Sequence, residues 1–230
     1  VIILPWNKEI AWVPGNCVME GQPVEQAPRN VLCRLIEEAA AEGMHVKTGI
    51  EAEFFLLTPE GNQISDPFDT AAKPCYDQQA FMRRLDVIRE ISDHMLELGW
   101  NPYQNDHEDA NGEWEMNRDF DDALRTADKH SFFKFMTKSV AEKHGFRATF
   151  MPKPIEGLTG NGCHAHISVW DAPGAAAKTN VFEWIVLYIL NAIRFYDHYH
   201  KDTLVPQLFA GSSAPTWSWN ARSRSFSPHE

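Results

Sequence analysis

Alternating apolar and polar positions over His45–Leu57 predict a buried β-strand. One face carries the mostly apolar side chains of Val46, Thr48, Ile50, Ala52, Phe54 and Leu56. The other face carries Glu51 and Glu53, roughly 7 Å apart along the strand. Two neighbouring carboxylates repel each other and are costly to desolvate, so we expect a positive group between or above them. The solvated face of an amphipathic strand is the alternative interpretation of this pair alone.

Apolar residues at helical spacing predict three helices. Pro28 opens the first and Gly43 ends it, the second covers residues 78–98, and the third covers residues 119–144. Four more short strands are predicted, the first two joined by an Asn111-Gly112 turn: residues 103–108, 113–117, 146–151 and 163–170. This order predicts an α+β fold with a largely antiparallel sheet and helices packed on one side.

The composition is that of an ordinary globular protein, with 43% hydrophobic and 23% charged residues in a chain of 230. The formal net charge of −11 argues against a nucleic-acid or membrane partner. The cysteines show no CxxC pairing, which is typical of reduced thiols in a cytoplasmic protein. No apolar run is long enough to span a bilayer. Because the sequence opens without Met, we expect it to begin inside a longer protein.

Two later stretches carry further polar side chains that suit a metal site. If Asn111-Gly112 makes a turn, Glu108 and Glu115 lie on the two arms of a hairpin and can converge; an acidic hairpin tip facing solvent is the alternative. His164 and His166 share one face of the last predicted strand with Ser168. A histidine pair of this kind can bind a metal, although alone it is more often a half-exposed polar face.

Together these stretches offer four glutamates and one or two histidines. Ligation mostly by oxygen suits Mg²⁺ or Mn²⁺ better than structural zinc, and two such cations can clamp the phosphates of a nucleotide. The glycine-rich loop at residues 157–162 offers backbone N–H groups to an anion. The chain has no Walker A motif and no G-x-G-x-x-G motif, so nucleotide binding would depend on metals and single side chains.

Three motifs, in this order, resemble the glutamine synthetase family: G-x-E-x-E-F-F at residues 49–55, the H-E stretch at residues 107–115, and the histidine-containing stretch at residues 146–168. The amino-acid sequence of these stretches is most similar to the branch that contains γ-glutamylmethylamide synthetase. The resemblance implies a catalytic-domain-like curved antiparallel sheet, incomplete here. It divides the chain into a remnant of the N-terminal β-grasp domain and linker (1–27), a partial catalytic domain (28–171) and a divergent C-terminal segment (172–230).

The resemblance also implies a metal role for five residues. Glu53, Glu108 and Glu115 would hold a first metal, near the glutamate and amine sites. Glu51 and His164 would hold a second, which faces the nucleotide phosphates. The expected cofactors are therefore Mg²⁺ or Mn²⁺, two or more in each site, with ATP as co-substrate.

Substrate contacts follow from the same resemblance. The backbone at Gly160 would face the substrate glutamate, His166 would approach the phosphates, and Ser168 would approach the nucleotide. Beyond residue 171 the resemblance fades, and the flap glutamate expected there is not found, so no catalytic residue is assigned. Arg222 or Arg224 is a candidate clamp for the substrate carboxylate or phosphate. A solvated tail is the alternative, and the pattern favours it.

The implied reaction joins the γ-carboxylate of glutamate to ammonia or a small amine such as methylamine. ATP phosphorylates the carboxylate, and the amine attacks the acyl phosphate. The family resemblance further implies a cytoplasmic enzyme of glutamine biosynthesis that forms a homo-oligomeric ring. The alternative is a truncated or non-catalytic relative that binds metal or nucleotide without turnover.

Overall fold

The computed structural model describes residues 1–171 and two short strands near the C-terminus. The sheet strands and helices follow one another along the chain as β1 (Ile2–Leu4), β2 (Asn7–Trp12), β3 (Val18–Met19), β4 (Gln22–Pro23), α1 (Pro28–Ala41), β5 (His45–Leu57), α2 (Gln78–Arg83), α3 (Leu85–Glu97), β6 (Pro102–His107), β7 (Glu113–Arg118), β8 (Asp121–Asp122), α4 (Ala123–Lys143), β9 (Arg147–Thr149), β10 (Cys163–Trp170), β11 (Ser218–Asn220) and β12 (Ser225–Ser227). The last two pair with each other in antiparallel fashion.

The 13-residue strand β5 is the centre of the main sheet. Strands β10 and β9 pair along one of its edges, and β8 and β7 pair along the other, with β6 outside β7. Every one of these pairings is antiparallel. The described part of the chain therefore has the α+β fold with an antiparallel sheet that the sequence predicts.

One face of the sheet is covered by helices. Phe54 and Leu56 of β5 and Trp114 and Met116 of β7 pack into a core with α3 and α4, whose buried members include Val87, Ile88, Ile91, Met95, Phe132, Phe133, Met136 and Val140. Burying side chains of this size removes about 1.5–3 kcal/mol of unfavourable hydration each. The alternation along β5 therefore sends Phe54 and Leu56 to the helices and the glutamates to the opposite face, where Phe55 and Leu57 form a second, smaller cluster with Ala110.

Two short hairpins precede this domain. The side chain of Asn30, in the first turn of α1, donates to the carbonyls of Cys17 (2.8 Å) and Val24 (2.9 Å) and so fixes the β3–β4 hairpin. Arg29 forms two hydrogen bonds with Asp128, of 2.9 and 3.0 Å, which tie α1 to α4. The assignment of residues 1–27 to a β-grasp remnant, and the other domain boundaries, stay predictions.

Two helix predictions are wrong in detail. Residues 78–98 form two helices, because Arg84 leaves helical geometry with φ −123° and ψ 14°. Its guanidinium bonds Ser65 and lies 4.8 Å from the Phe146 ring centroid, and these contacts compete with a continuous helix. The third helix begins at Ala123 instead of residue 119, because Asp121 and Asp122 pair with β5 as strand β8.

The other predicted elements are present. Strands β5 and β10 have the predicted bounds, and α1 begins at Pro28. Arg222 and Arg224, and with them most of residues 172–230, lie outside the described residues. Among the helices described, none combines the length and the apolar character needed to cross a bilayer.

Candidate functional site

The polar face of the sheet gathers its charged side chains by register. His164 of β10 pairs with Glu51 of β5, Glu115 of β7 pairs with Glu53, and Asp106 of β6 pairs with Glu115. Directly paired residues of antiparallel strands point to the same face. Carboxylates from three strands and a histidine from a fourth strand therefore lie on a single surface, opposite the helices.

This surface is the floor of a cavity of about 410 Å³. A volume of this order suits a small-molecule substrate. The wall is rich in carboxylates, with two tyrosines and the glycine-rich loop completing it; its members include Glu51, Glu53, Tyr76, Tyr103, Glu108, Asp109, Glu113, Glu115, Gly160, Gly162 and His164. All five sequence-predicted metal ligands thus line one cavity, together with Gly160.

Glu51 lies between the two histidines of β10. One of its oxygens is 2.8 Å from His166 Nε2, and the other is 3.3 Å from His164 Nδ1. His164 Nδ1 is also 3.7 Å from Glu53 Oε1. The ring of His164 therefore stands over both carboxylates of β5, in the place where the sequence predicted a positive group.

Glu53 is oriented by the glycine-rich loop. The Gly162 N–H donates to its Oε2 at 2.6 Å. A side chain on Gly162 would have its Cβ 2.7 Å from Glu53 Oε1 and 3.0 Å from His164 Cε1, so only glycine fits between them. Gly160 is equally restricted, because a Cβ there would collide with the Pro152 carbonyl oxygen.

Three groups of three side chains bring their ligand atoms within 4.8 Å of one another at this surface. Two of them share Glu115: one contains Glu51, Glu115 and His164, and the other contains Asp106, Glu108 and Glu115. The third contains Cys75, Glu108 and Asp109. The sequence placed Glu115 in the first metal site only. Glu108 and Glu115 do converge from the two arms of the hairpin, and their role as ligands stays a prediction.

Three carboxylates at this surface are unusually hard to ionise. Burial, with the charges of Glu115 and Glu51, raises the pKa of Glu53 to about 7. Burial, with the charges of Glu115 and Glu53, raises the pKa of Glu108 to about 7. Glu113 is fully buried, and burial with the charge of Glu53 raises its pKa to about 8. The site therefore carries repulsion that a bound cation would relieve.

This donor set fits divalent cations that prefer oxygen. Carboxylates are the majority in all three groups, and the one thiol, Cys75, has its pKa raised to about 11 by burial, which disfavours the thiolate that a metal would bind. Hard cations such as Mg²⁺ and Mn²⁺ take this kind of site, whereas structural zinc takes thiolates and closed tetrahedral geometry. One oxygen of the buried Glu113 has no hydrogen-bond partner, which is the condition expected beside an additional positive group.

The other two predicted site residues, His166 and Ser168, lie outside the cavity on the same face of β10. Ser168 Oγ accepts from Trp170 Nε1 at 2.8 Å. The Trp170 ring stacks on Phe120 with centroids 5.9 Å apart, and Phe120 remains 53% exposed. An exposed aromatic ring next to the glutamate–histidine cluster can stack with a nucleotide base.

Sequence reasoning missed several of these residues. Asp106 carries a signal in the sequence, since it lies two residues from Glu108 on the same face of the predicted strand. Glu113 and Phe120 had none, because their placement depends on the pairing of β7 and β8 with β5. Tyr76 stands out only in the structure, where its backbone has a positive φ of 62° at the rim of the cavity.

Comparisons with known proteins identify relatives of this chain. Residues 25–183 match the protein family described as "Glutamine synthetase, catalytic domain". A glutamine synthetase of Rhizobium meliloti (strain 1021) is 73% identical over 174 residues, which are 76% of this chain and 40% of that protein. A glutamate–methylamine ligase of Methyloversatilis universalis is 38% identical over 183 residues, which are 79% of this chain and 40% of that protein.

A solved structure described as "GmaS/ADP complex-Conformation 1" is similar in fold as well as in sequence. Its TM-score is 0.75 and its identity 59%, over 76% of this chain and 41% of that one. The chain thus spans about 40% of the length of the relatives it matches. The resemblance stated from the sequence motifs is confirmed, including similarity to methylamine-using relatives.

Proposed function

Because this chain belongs to the glutamine synthetase family, we propose that it is part of an ATP-dependent ligase that joins the γ-carboxylate of glutamate to ammonia or methylamine. The observation that carries the proposal is the convergence of Glu51, Glu53, Glu108, Glu115 and His164 on one cavity. The two candidate acceptors follow from the relatives, which are named as a glutamine synthetase and as a glutamate–methylamine ligase.

Two cation positions fit the side chains. Glu108 and Glu115, with Asp106 or Glu53 beside them, would hold one, and Glu51 and His164 would hold the other. When bound, Mg²⁺ or Mn²⁺ would neutralise charge on the phosphates and on the glutamate carboxylate, which is the main electrostatic requirement of phosphoryl transfer. This also explains how a surface of net negative charge can accept two anionic substrates.

The protein's own groups position the reactants. The backbone of Gly160 and Gly162 lines the cavity beside Glu53, where it can face the carboxylate of glutamate. His166 and Ser168 continue the same strand face towards Phe120, so a nucleotide can lie along β10 with its phosphates near His164. Phosphorylation of the γ-carboxylate by ATP then gives the γ-glutamyl phosphate that the amine attacks.

ADP release is the direct test. The purified chain is given ATP, Mg²⁺ and glutamate, with ammonia or methylamine as acceptor, and Glu53→Ala is compared with the exposed-loop control Glu60→Ala. The proposal predicts release that depends on the acceptor, is retained in Glu60→Ala and is lost in Glu53→Ala. Release that does not need an acceptor, or that survives in Glu53→Ala, would contradict it.

A second candidate function is binding without turnover. It is the alternative that the sequence analysis leaves open, and it needs only the cavity and its carboxylates. Silence in the ADP assay, together with Mn²⁺-dependent binding of a nucleotide that Glu51→Ala abolishes, would support this candidate over the ligase. Cytoplasmic location and assembly into a ring are further proposals that rest on the family alone.

A further inference from the structure

Asp69 binds three donors from the end of the β6–β7 hairpin. Its Oδ2 accepts from the Gly112 N–H and from His107 Nε2, both at 2.7 Å, and its Oδ1 accepts from Asn111 Nδ2 at 2.8 Å. Although burial opposes ionisation, these hydrogen bonds lower the pKa of Asp69. An ionised carboxylate only accepts, so His107 Nε2 carries the proton.

His107 connects the hairpin to the loop that precedes α2. The residue is 1% exposed, and its ring stands edge-on to Trp114 with centroids 5.0 Å apart. Its carbonyl accepts the Tyr76 N–H at 2.8 Å. Tyr76 holds a positive φ that side chains rarely adopt, and such strain persists only where the surroundings impose it.

The residues between His107 and Glu113 form a closed turn that carries Glu108. The Glu108 N–H donates to the Glu113 carbonyl at 3.0 Å, and Glu113 and Ala110 exchange two further hydrogen bonds of 3.0 Å. Asp69 contacts this turn from the side of the core, while Glu108 and Glu113 face the cavity. The turn is therefore fixed from behind by one buried carboxylate.

We propose that Asp69 and His107 are positioning residues that hold the Glu108–Glu113 turn, and with it Glu108, in the geometry that binds a divalent cation. The inference deepens the proposed function and rests on it. Residues that support metal ligands through buried hydrogen bonds commonly change metal affinity by about 10- to 100-fold when they are replaced. Neither residue lines the cavity itself.

The test uses two substitutions that keep the shape of the pair. His107→Phe retains a ring against Trp114 and removes the donor to Asp69, and Asp69→Asn retains the volume and puts an amide against three donors. The control is Asp66→Asn in the same loop. Asp66 is also buried, but it pairs with Arg83 at 2.5 Å and with Arg84, on the helix side, instead of with the hairpin.

Mn²⁺ alone is titrated into the full 230-residue chain and each variant, and thermal unfolding is recorded without metal. We expect the Mn²⁺ dissociation constant to rise about 10- to 100-fold in His107→Phe and Asp69→Asn. Asp66→Asn is expected to lower the melting temperature about as much as the other two substitutions do. Its Mn²⁺ dissociation constant is expected to stay within about twofold of that of the unchanged chain. Restoration of affinity by His107→Gln, which returns an N–H donor, would further support positioning.

Equal Mn²⁺ affinity in the unchanged chain, in His107→Phe and in Asp69→Asn would overturn the inference. A loss of Mn²⁺ affinity in Asp66→Asn as large as in those two variants would also overturn it. If the unchanged chain binds no Mn²⁺, the proposed function fails, and the positioning role of Asp69 and His107 is then tested by amide hydrogen exchange over residues 105–116. Faster exchange there in His107→Phe than in Asp66→Asn supports that role, and equal exchange overturns it.

Discussion

Gly162 shows how a single atom can control this site. Its N–H holds Glu53, and the space where a Cβ would lie is bounded by Glu53 and His164. The backbone of Gly162 does not have a positive φ, so alanine is compatible with the backbone conformation, and its methyl group would displace the side chains of Glu53 and His164. The substitution would therefore act on these two side chains without a general cost to the loop.

Gly162→Ala is therefore expected to weaken Mn²⁺ binding about tenfold, because Glu53 must move away from its hydrogen bond. The melting temperature should change by no more than a few degrees. Mn²⁺ titration and thermal unfolding measure the two effects. Gly15→Ala is the control, since nothing lies within 4 Å of its Cβ position; unchanged Mn²⁺ affinity in Gly162→Ala would contradict the prediction.

The elements that the sequence predicted well are those whose pattern alone determines them. Strand β10 and the first part of β5, up to Phe54, alternate apolar and polar residues, so their faces follow from the period. The expectation that Glu51 and His164 act together came from the family resemblance. Register between β7 and β5, which brings Glu113 into the cavity, depends on tertiary contacts and has no local signal.

The break between α2 and α3 is the element that sequence reasoning got wrong. Apolar spacing continues through it, and arginine is a good helix former, so nothing local marks Arg84. The break is instead imposed by its guanidinium, which donates to Ser65 Oγ at 3.0 Å and to the Ser65 carbonyl, and packs on Phe146. A tertiary contact overrides helix propensity here.

Removing this side chain should cost stability without a loss of helix. Arg84→Ala is expected to lower the free energy of unfolding by about 1.5–3 kcal/mol, the usual range for hydrogen bonds that involve a charged group. Urea unfolding measures the change, and far-ultraviolet circular dichroism should show helix content equal or higher. Arg89→Ala, on the exposed side of α3, is the control and should stay within about 0.5 kcal/mol. A smaller loss of unfolding free energy in Arg84→Ala than in Arg89→Ala would contradict this role of Arg84.

At the scale of the whole molecule, the acidic site links stability to pH. Folding raises the pKa of Glu53 and Glu108 to about 7 and that of Glu113 to about 8. The folded state therefore binds more protons than the unfolded state between about pH 4.5 and 8, and stability falls as pH rises through that range. Buried His130, with a pKa lowered to about 4, acts in the opposite direction below pH 6.5.

Without metal, the melting temperature is thus expected to fall between pH 6.5 and 8.5, the range that contains the raised pKa values of Glu53, Glu108 and Glu113. A fall of about 2–4 °C corresponds to each kcal/mol lost in a protein of this size. Thermal unfolding across that range measures it, and saturating Mn²⁺ should reverse the slope, because cation and proton compete for the same carboxylates. Glu113→Gln should flatten the metal-free slope. A melting temperature that rises with pH in metal-free protein would contradict the prediction.

Some features of the whole molecule could be predicted from the sequence and others could not. Motif spacing was enough to predict the family and the gathering of Glu51, Glu53, Glu108, Glu115 and His164 at one site. It was not enough to predict which of these side chains lie together, because Glu115 joins Glu51 and His164 on one side and Asp106 and Glu108 on the other only through the pairing of four strands. Arg222 lies outside the described residues, so the substrate clamp assigned to it stays a prediction.

Strand β5 is central in the sheet and precedes β6, β7 and β10 in the chain, so the residues of the site are synthesised in a fixed order. Its acidic partners on β6 and β7 follow it within about 60 residues, whereas Cys163 to Trp170 pair with it across more than a hundred. A ribosome makes only about 5–20 residues each second, so β5 and the carboxylate hairpin exist for several seconds before His164 is translated. The nascent chain therefore presents the carboxylates alone, and the imidazole of His164 is the last of these side chains to be added.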